Sequence, residues 1–288
     1  MPPVLPARSS GFAETAEDAW SGISGMRSRV RASMRSAILW WAAQQAEKRP
    51  DFIRCLYSHA VFGETSQRFG EVVRQLRNIG DIVDTATLLE LMKQEREPRG
   101  RYFHLSFDDG FANVFEEGGA VLDALDTPYT IFIATDLIEA SAEVISDYFR
   151  TMTAYRRPVR TMSWDQVVRA AASRNVEIGC HTRSHARLSD ISHDASLLGT
   201  EIAGAKAIIE ARTGKPCRAF AWPYGTGADI DETARDAIRN AGFDCAFSAV
   251  RGRVIPGQTD GFDIPRHQVE FHWPPHEINA WIKGFREA

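Results

Sequence analysis

The chain has 288 residues, 44% hydrophobic and 25% charged, with a formal net charge of -4. That length and apolar content suit one large domain with a sizeable core. The mild acidity argues against a nucleic-acid partner, and the lack of any apolar run of about 18 residues excludes a transmembrane helix.

Residues 1–50 read as an extension, rich in Pro and Ser at its start, with Arg49-Pro50 as the boundary to a main domain over 51–288. The stretch from Met1 to Pro6 and the small, polar residues after it lack the basic and apolar regions of a secretory signal, so a cytoplasmic location is expected. Arg27 to Trp41 (RSRVRASMRSAILWW) carries four arginines and ends in an apolar, Trp-containing patch. This pattern predicts an amphipathic helix. It docks on its own domain, mediates oligomerisation with a second subunit, or makes a peripheral membrane contact.

From Phe52 onward, strand-like apolar runs alternate with helical periodicity. Strands are predicted over Phe52–Tyr57, Tyr102–Phe107, Tyr129–Ala134, Val176–Cys180, Arg218–Trp222 and Cys245–Val250. Helices are predicted over Ser66–Asn78, Val114–Leu125, Trp164–Ser173, Leu197–Arg212 and Glu232–Ala241. Repeated β-then-α units imply a mainly parallel sheet, and about seven strands favour a closed or nearly closed α/β barrel. Cys55, Cys180, Cys217 and Cys245 are scattered among apolar residues and read as small buried hydrophobes in a reducing compartment.

In parallel barrels the reactive groups gather at the C-terminal ends of strands. His59, Asp108-Asp109, His181 and Tyr224 each follow a predicted strand. Asp-Gly after a strand is ordinarily only a turn, but two adjacent carboxylates repel unless a cation or proton separates them. His181 and His185, four residues apart, converge on one metal ion if the segment turns helically; otherwise they are surface histidines. His272 and His276 repeat the spacing, yet Pro274 and Pro275 break helical geometry there, so that pair receives no metal role. Two histidines and Asp109 would form a three-ligand site with room for water and substrate, leaving Asp108 as general base.

Ser106-Phe107-Asp108-Asp109-Gly110, His181 to His185 and Trp222-Pro223-Tyr224-Gly225, in this order, resemble the three motifs of the NodB-type polysaccharide deacetylases, carbohydrate esterase family 4. The resemblance spans roughly Phe52 to Val269. It implies a distorted (β/α) barrel that removes N-acetyl groups from acetylglucosamine units of a glycan. It makes Asp108 the base, Asp109, His181 and His185 the metal ligands, and the Tyr224 N–H an oxyanion donor. Zn²⁺ suits two imidazoles and a carboxylate, with Co²⁺, Ni²⁺ or Mn²⁺ as alternatives.

Two departures stand out. Ala221 occupies the place of the family's base-orienting arginine; Arg266 is the residue available to replace it, with surface or ion-pair duty as the alternative. No general-acid motif of the usual kind is found near the C-terminus, where His267 is the nearest candidate. Leu56-Tyr57-Ser58-His59, together with Phe111, instead resembles the rearranged exopolysaccharide deacetylases of the PgaB and IcaB type. That likeness makes His59 the acid that protonates the leaving amine; a structural imidazole is the alternative. Rival functions are O-acetyl or small-amide hydrolysis on the same fold, and a catalytically silent sugar-binding module.

Overall fold

The computed structural model describes residues 12–20, 26–45, 50–96, 98–151, 156–285 and 287. The Met1–Pro6 stretch and Arg49 lie outside the described residues. Eight parallel strands form one sheet: β1 Phe52–Ser58, β2 Asp81–Val83, β3 Arg101–Phe107, β4 Tyr129–Ile133, β5 Val176–Cys180, β6 Ala219–Ala221, β7 Cys245–Phe247 and β8 His267–Gln268. Their order is β7-β6-β5-β4-β3-β1-β8. β1 occupies one whole edge of β3. The other edge is divided, with β2 opposite Tyr102–His104 and β4 opposite Ser106–Phe107.

The segment leading into β8 brings the two ends of the sheet together. Ile264 N–H donates to Ala246 O and Ser248 N–H to Ile264 O, both at 2.9 Å, on the β7 side. His267 then pairs with Leu56 of β1, and Val269 N–H donates to Tyr57 O at 2.8 Å. The result is the expected distorted barrel: seven strands in the ring, with β2 as a partial extra strand.

Alternation along β1 explains how both its faces are used. Ile53 and Cys55 point into the lumen with Phe132, Ala221, Phe247 and Ile264, whereas Phe52 and Leu56 pack outward with Phe69, Val73 and Leu76. The four cysteines are buried and free.

The helix predicted from Ser66 runs Gly63–Ile79, and those predicted from Trp164 and Glu232 start there. The stretches predicted as helix over 114–125 and 197–212 each contain a π-helical turn, Val114–Gly118 and Thr200–Gly204. β2 and β8, at three and two residues, are too short for periodicity to reveal. The helices Thr85–Met92, Ala142–Thr151 and Pro275–Ile282 are also additional to the expected set. Pro275 starts a helix rather than breaking one, because the first helical position needs no N–H donor. His272 precedes that helix and stacks on Trp20, while His276 bonds Ser36 Oγ at 2.7 Å; the two do not converge.

Parts of the N-terminal extension lie on the barrel. Ala13 N–H donates to Pro158 O at 2.8 Å and Arg156 N–H to Ala19 O at 2.7 Å. The helix Met26–Gln44 buries Leu39, Ala42 and Ala43 and runs beside Pro275–Ile282, where Lys283 Nζ donates to Ala43 O at 2.6 Å. Docking on its own domain thus describes one face of this helix.

Candidate active site

Four segments that leave the C-terminal end of the barrel, and a fifth that leads into β8, aim side chains into one cavity of about 100 Å³. They bring His59 after β1, Asp108 and Asp109 after β3, His181 and His185 after β5, Tyr224 after β6, and Arg266 from the closing segment. A wider cavity, about 820 Å³, lies at the opposite end against Glu177, Arg218 and Asp244 and holds none of these groups.

The backbone at this mouth is held in conformations that side chains ordinarily avoid. Asp109, Thr182, His185 and Tyr224 have φ of 70°, 64°, 62° and 64°. Each such residue costs on the order of 1–3 kcal/mol, which the surrounding packing must offset. Gly225 follows Tyr224 at φ 73°, and a Cβ there would stand 2.4 Å from Ala249 Cβ. Only glycine fits that turn.

Asp109, His181 and His185 are all buried, with ligand atoms within 4.8 Å of one another. Asp109 Oδ1 stands 3.5 Å from His181 Nε2 and 3.3 Å from His185 Nε2. Two donors each about 2.1 Å from a tetrahedral ion are about 3.4 Å apart, so the two separations from Asp109 suit ligands of one divalent ion. The His181 Nδ1–H donates to Ala221 O at 2.7 Å, which leaves the Nε2 lone pair facing the site. Burial lowers the His185 imidazole against the pull of Asp109, favouring the neutral form a ligand requires. Burial would raise Asp109, but the two imidazoles beside it hold its carboxyl well below the usual range. His185 lacks a support like that of His181, since its Nδ1 has no partner among the described residues.

Asp108 occupies a different environment. Arg266 Nη1 and Nη2 grip its two oxygens at 2.8 Å each. The guanidinium is fully buried, donates to Ser248 O at 2.9 Å and Ser106 Oγ at 3.0 Å, and lies 4.4 Å from the Tyr57 ring. Arg266 is therefore not a surface residue: its guanidinium stands on Asp108, where a replacement for the motif arginine has to reach.

His59 hydrogen-bonds Glu270 through Nδ1, 2.5 Å from Oε1. Ser58 Oγ and Gln268 Nε2 hold the same carboxylate, each at 3.0 Å. Burial opposes the charged imidazole, yet the charge and hydrogen bond of Glu270 raise it to about 9. Trp20, from the extension, places its ring edge-on to His59 at 6.2 Å. His267 is absent from the cavity lining; its Nε2 meets Glu287 Oε1 at 2.9 Å under Trp281, a structural position.

Two further acids shape the loops after β5 and β6. Glu201, in the second π-helical turn, accepts from Arg183 N–H, Ser184 N–H and Ser184 Oγ at 2.7–3.0 Å. Asp229 accepts from Thr226 N–H at 2.8 Å and pairs with Arg187, whose guanidinium lies 4.2 Å from the Tyr224 ring. Sequence reasoning missed Glu270, Glu201 and Asp229. Each is an ordinary acid outside any motif, and only its contacts mark it.

The sequence model of the family described as polysaccharide deacetylase matches residues 95–246, over half of the chain. The chain belongs to the polysaccharide deacetylase family. It is thus a carbohydrate deacetylase, and the matched stretch contains Asp108, Asp109, His181, His185 and Tyr224. Solved structures share the fold of this deacetylase. IcaB from Ammonifex degensii is 20% identical with a TM-score of 0.64, covering 81% of this chain and 97% of that one. The BpsB deacetylase domain from Bordetella bronchiseptica is 16% identical with a TM-score of 0.61, covering 78% and 98%. A de-N-acetylase from Aggregatibacter actinomycetemcomitans is 17% identical with a TM-score of 0.60, covering 79% and 98%. No curated protein matches the chain in sequence. His59, Arg266 and Glu270 of this polysaccharide deacetylase lie outside the matched stretch, just after β1 and on the segments around β8.

Proposed function

We propose that the protein hydrolyses N-acetyl groups of amino-sugar units in a poly- or oligosaccharide, or in a lipid-linked precursor, and releases acetate. The observation that carries this reading is the separation of two adjacent carboxylates, Asp108 on Arg266 and Asp109 between two imidazoles, in one cavity. Asp109, His181 and His185 would hold the ion, which is expected to be Zn²⁺. When bound, a divalent ion there polarises the acetyl carbonyl and makes water acidic near neutral pH.

Asp108 takes the proton from the attacking water as the new C–O bond forms, with Arg266 fixing the direction of its lone pairs. The Tyr224 N–H, which has no backbone acceptor among the described residues, donates to the oxygen on which negative charge develops. His59 gives its proton to the sugar nitrogen as the C–N bond breaks, and Glu270 keeps the imidazole oriented and charged until then.

The test is acetate release from matched N-acetylated and O-acetylated oligosaccharides, with and without chelator. N-acetyl hydrolysis that stops with chelator and returns with Zn²⁺ is expected. Release from the O-acetylated set alone would assign the site to esters instead. An Asp108→Asn variant that turns over at a near-normal rate would remove Asp108 from the role of base.

A further inference from the structure

The helix Met26–Gln44 has a second face that the barrel leaves uncovered. Val30, Met34, Ile38, Trp40 and Trp41 are 49–62% exposed, and they make up five of the ten exposed large hydrophobics among the described residues. At about 100° per residue, Val30, Met34, Ile38 and Trp41 fall within about 80° of arc, and buried Leu39 lies on the far side. Isolated exposed apolar residues need no explanation, but a continuous stripe of this kind does.

Charge decides what covers it. The helix sequence contains four arginines and neither Asp nor Glu, in a chain whose net charge is -4. Arg31 is exposed beside the stripe, while Arg35 reaches back to Glu277 at 2.9 Å. A second copy packed stripe to stripe by two-fold symmetry would bring Arg31 and its symmetry mate to one seam, with no acid on either helix to answer them. An anionic lipid surface answers them and also accepts the apolar stripe and the amphipathic Trp rings.

We propose that the outward face of Met26–Gln44 binds the surface of an anionic membrane, lying in its interface rather than crossing it. Among the described residues no helix is long and apolar enough to cross a membrane. Ser36 meets His276, just past the mouth of the barrel, and Ala43 meets Lys283 at the other end of the neighbouring helix. The first half of the docking helix therefore lies on the side of the cleft. The proposal stands independently of the substrate reading.

The experiment is co-sedimentation of the full chain with vesicles of phosphatidylcholine containing one-third phosphatidylglycerol, against pure phosphatidylcholine vesicles. Binding at least tenfold stronger to the anionic vesicles, weakened by 1 M NaCl, is expected. Arg31→Gln should lower it about fivefold. The double variant Met34→Glu, Trp41→Glu should lose more than tenfold with an unchanged melting temperature, since neither residue is buried. Equal binding to both vesicle types, or none, would overturn the proposal. A wild-type chain that is dimeric in solution, with the double variant monomeric, would give the stripe to a second copy and overturn it as well.

Discussion

Arg266 holds both carboxylate oxygens of Asp108 at 2.8 Å, reaching them from the segment that joins β7 to β1. The proposed base and the closure of the barrel therefore share the Arg266 side chain. Ala221, at the place where the motif arginine is usual, contributes its carbonyl to His181 instead.

Arg266→Lys keeps a charge but loses the two-pronged grip and the stacking. We expect kcat to fall about 100-fold with metal content unchanged, because misorientation of the base by an ångström costs that much. Arg266→Met leaves a buried carboxylate without a partner and should also lose about 3–5 kcal/mol of stability. Steady-state kinetics and denaturant melts check both. A Lys variant of full activity would show that orientation of Asp108 is not limiting.

Glu270→Gln keeps a hydrogen-bond acceptor for His59 but removes the charge that raises the imidazole to about 9. With that charge gone, His59 deprotonates at lower pH. The alkaline limb of the kcat/KM profile should accordingly move toward neutrality, with little change at acid pH. An unmoved limb would take His59 out of the role of acid.

Glu201→Gln weakens the grip on the Arg183 and Ser184 amides that shape the His181–His185 loop. Metal affinity should drop about tenfold while saturating metal restores most of the rate. Titration of chelator-stripped protein with Zn²⁺, followed by acetate release, measures both quantities. An unchanged affinity would mean that the loop holds its shape without Glu201.

Glu287 links Arg54 and His267 outside the lining of the cleft, and although burial opposes its charge, these two partners lower its carboxyl from 4.5 to about 2. Since the folded value lies below the unfolded one, the stabilisation is complete above about pH 4.5 and is lost as pH falls toward 2. The shift corresponds to roughly 3 kcal/mol. Glu287→Gln should therefore lower the melting temperature at pH 7, with the deficit shrinking as pH drops. Melts from pH 7 down to the acid limit of folding check this; a deficit independent of pH would mean the loss is one of packing.

The amino-acid sequence by itself determined the barrel and the grouping of Asp109, His181 and His185. The alternation of apolar runs is a local property of β1, β3, β4 and β5, and Asp109, His181 and His185 stand directly after strands whose ends converge in any parallel barrel. His59 was legible for the same reason. The short strands β2 and β8 were not, because two or three residues carry no period, and the π-turns were not, because apolar spacing barely changes across one extra residue. What only the tertiary structure decided was pairing over long separations: Arg266 with Asp108, Glu270 with His59, Glu201 with the loop of His181 to His185, and Trp20 with the mouth. None of these acids and bases differs in sequence from a solvated surface charge. Chain closure between β7 and β1 brings Arg266 and Glu270 out of water, and burial then makes each contact count.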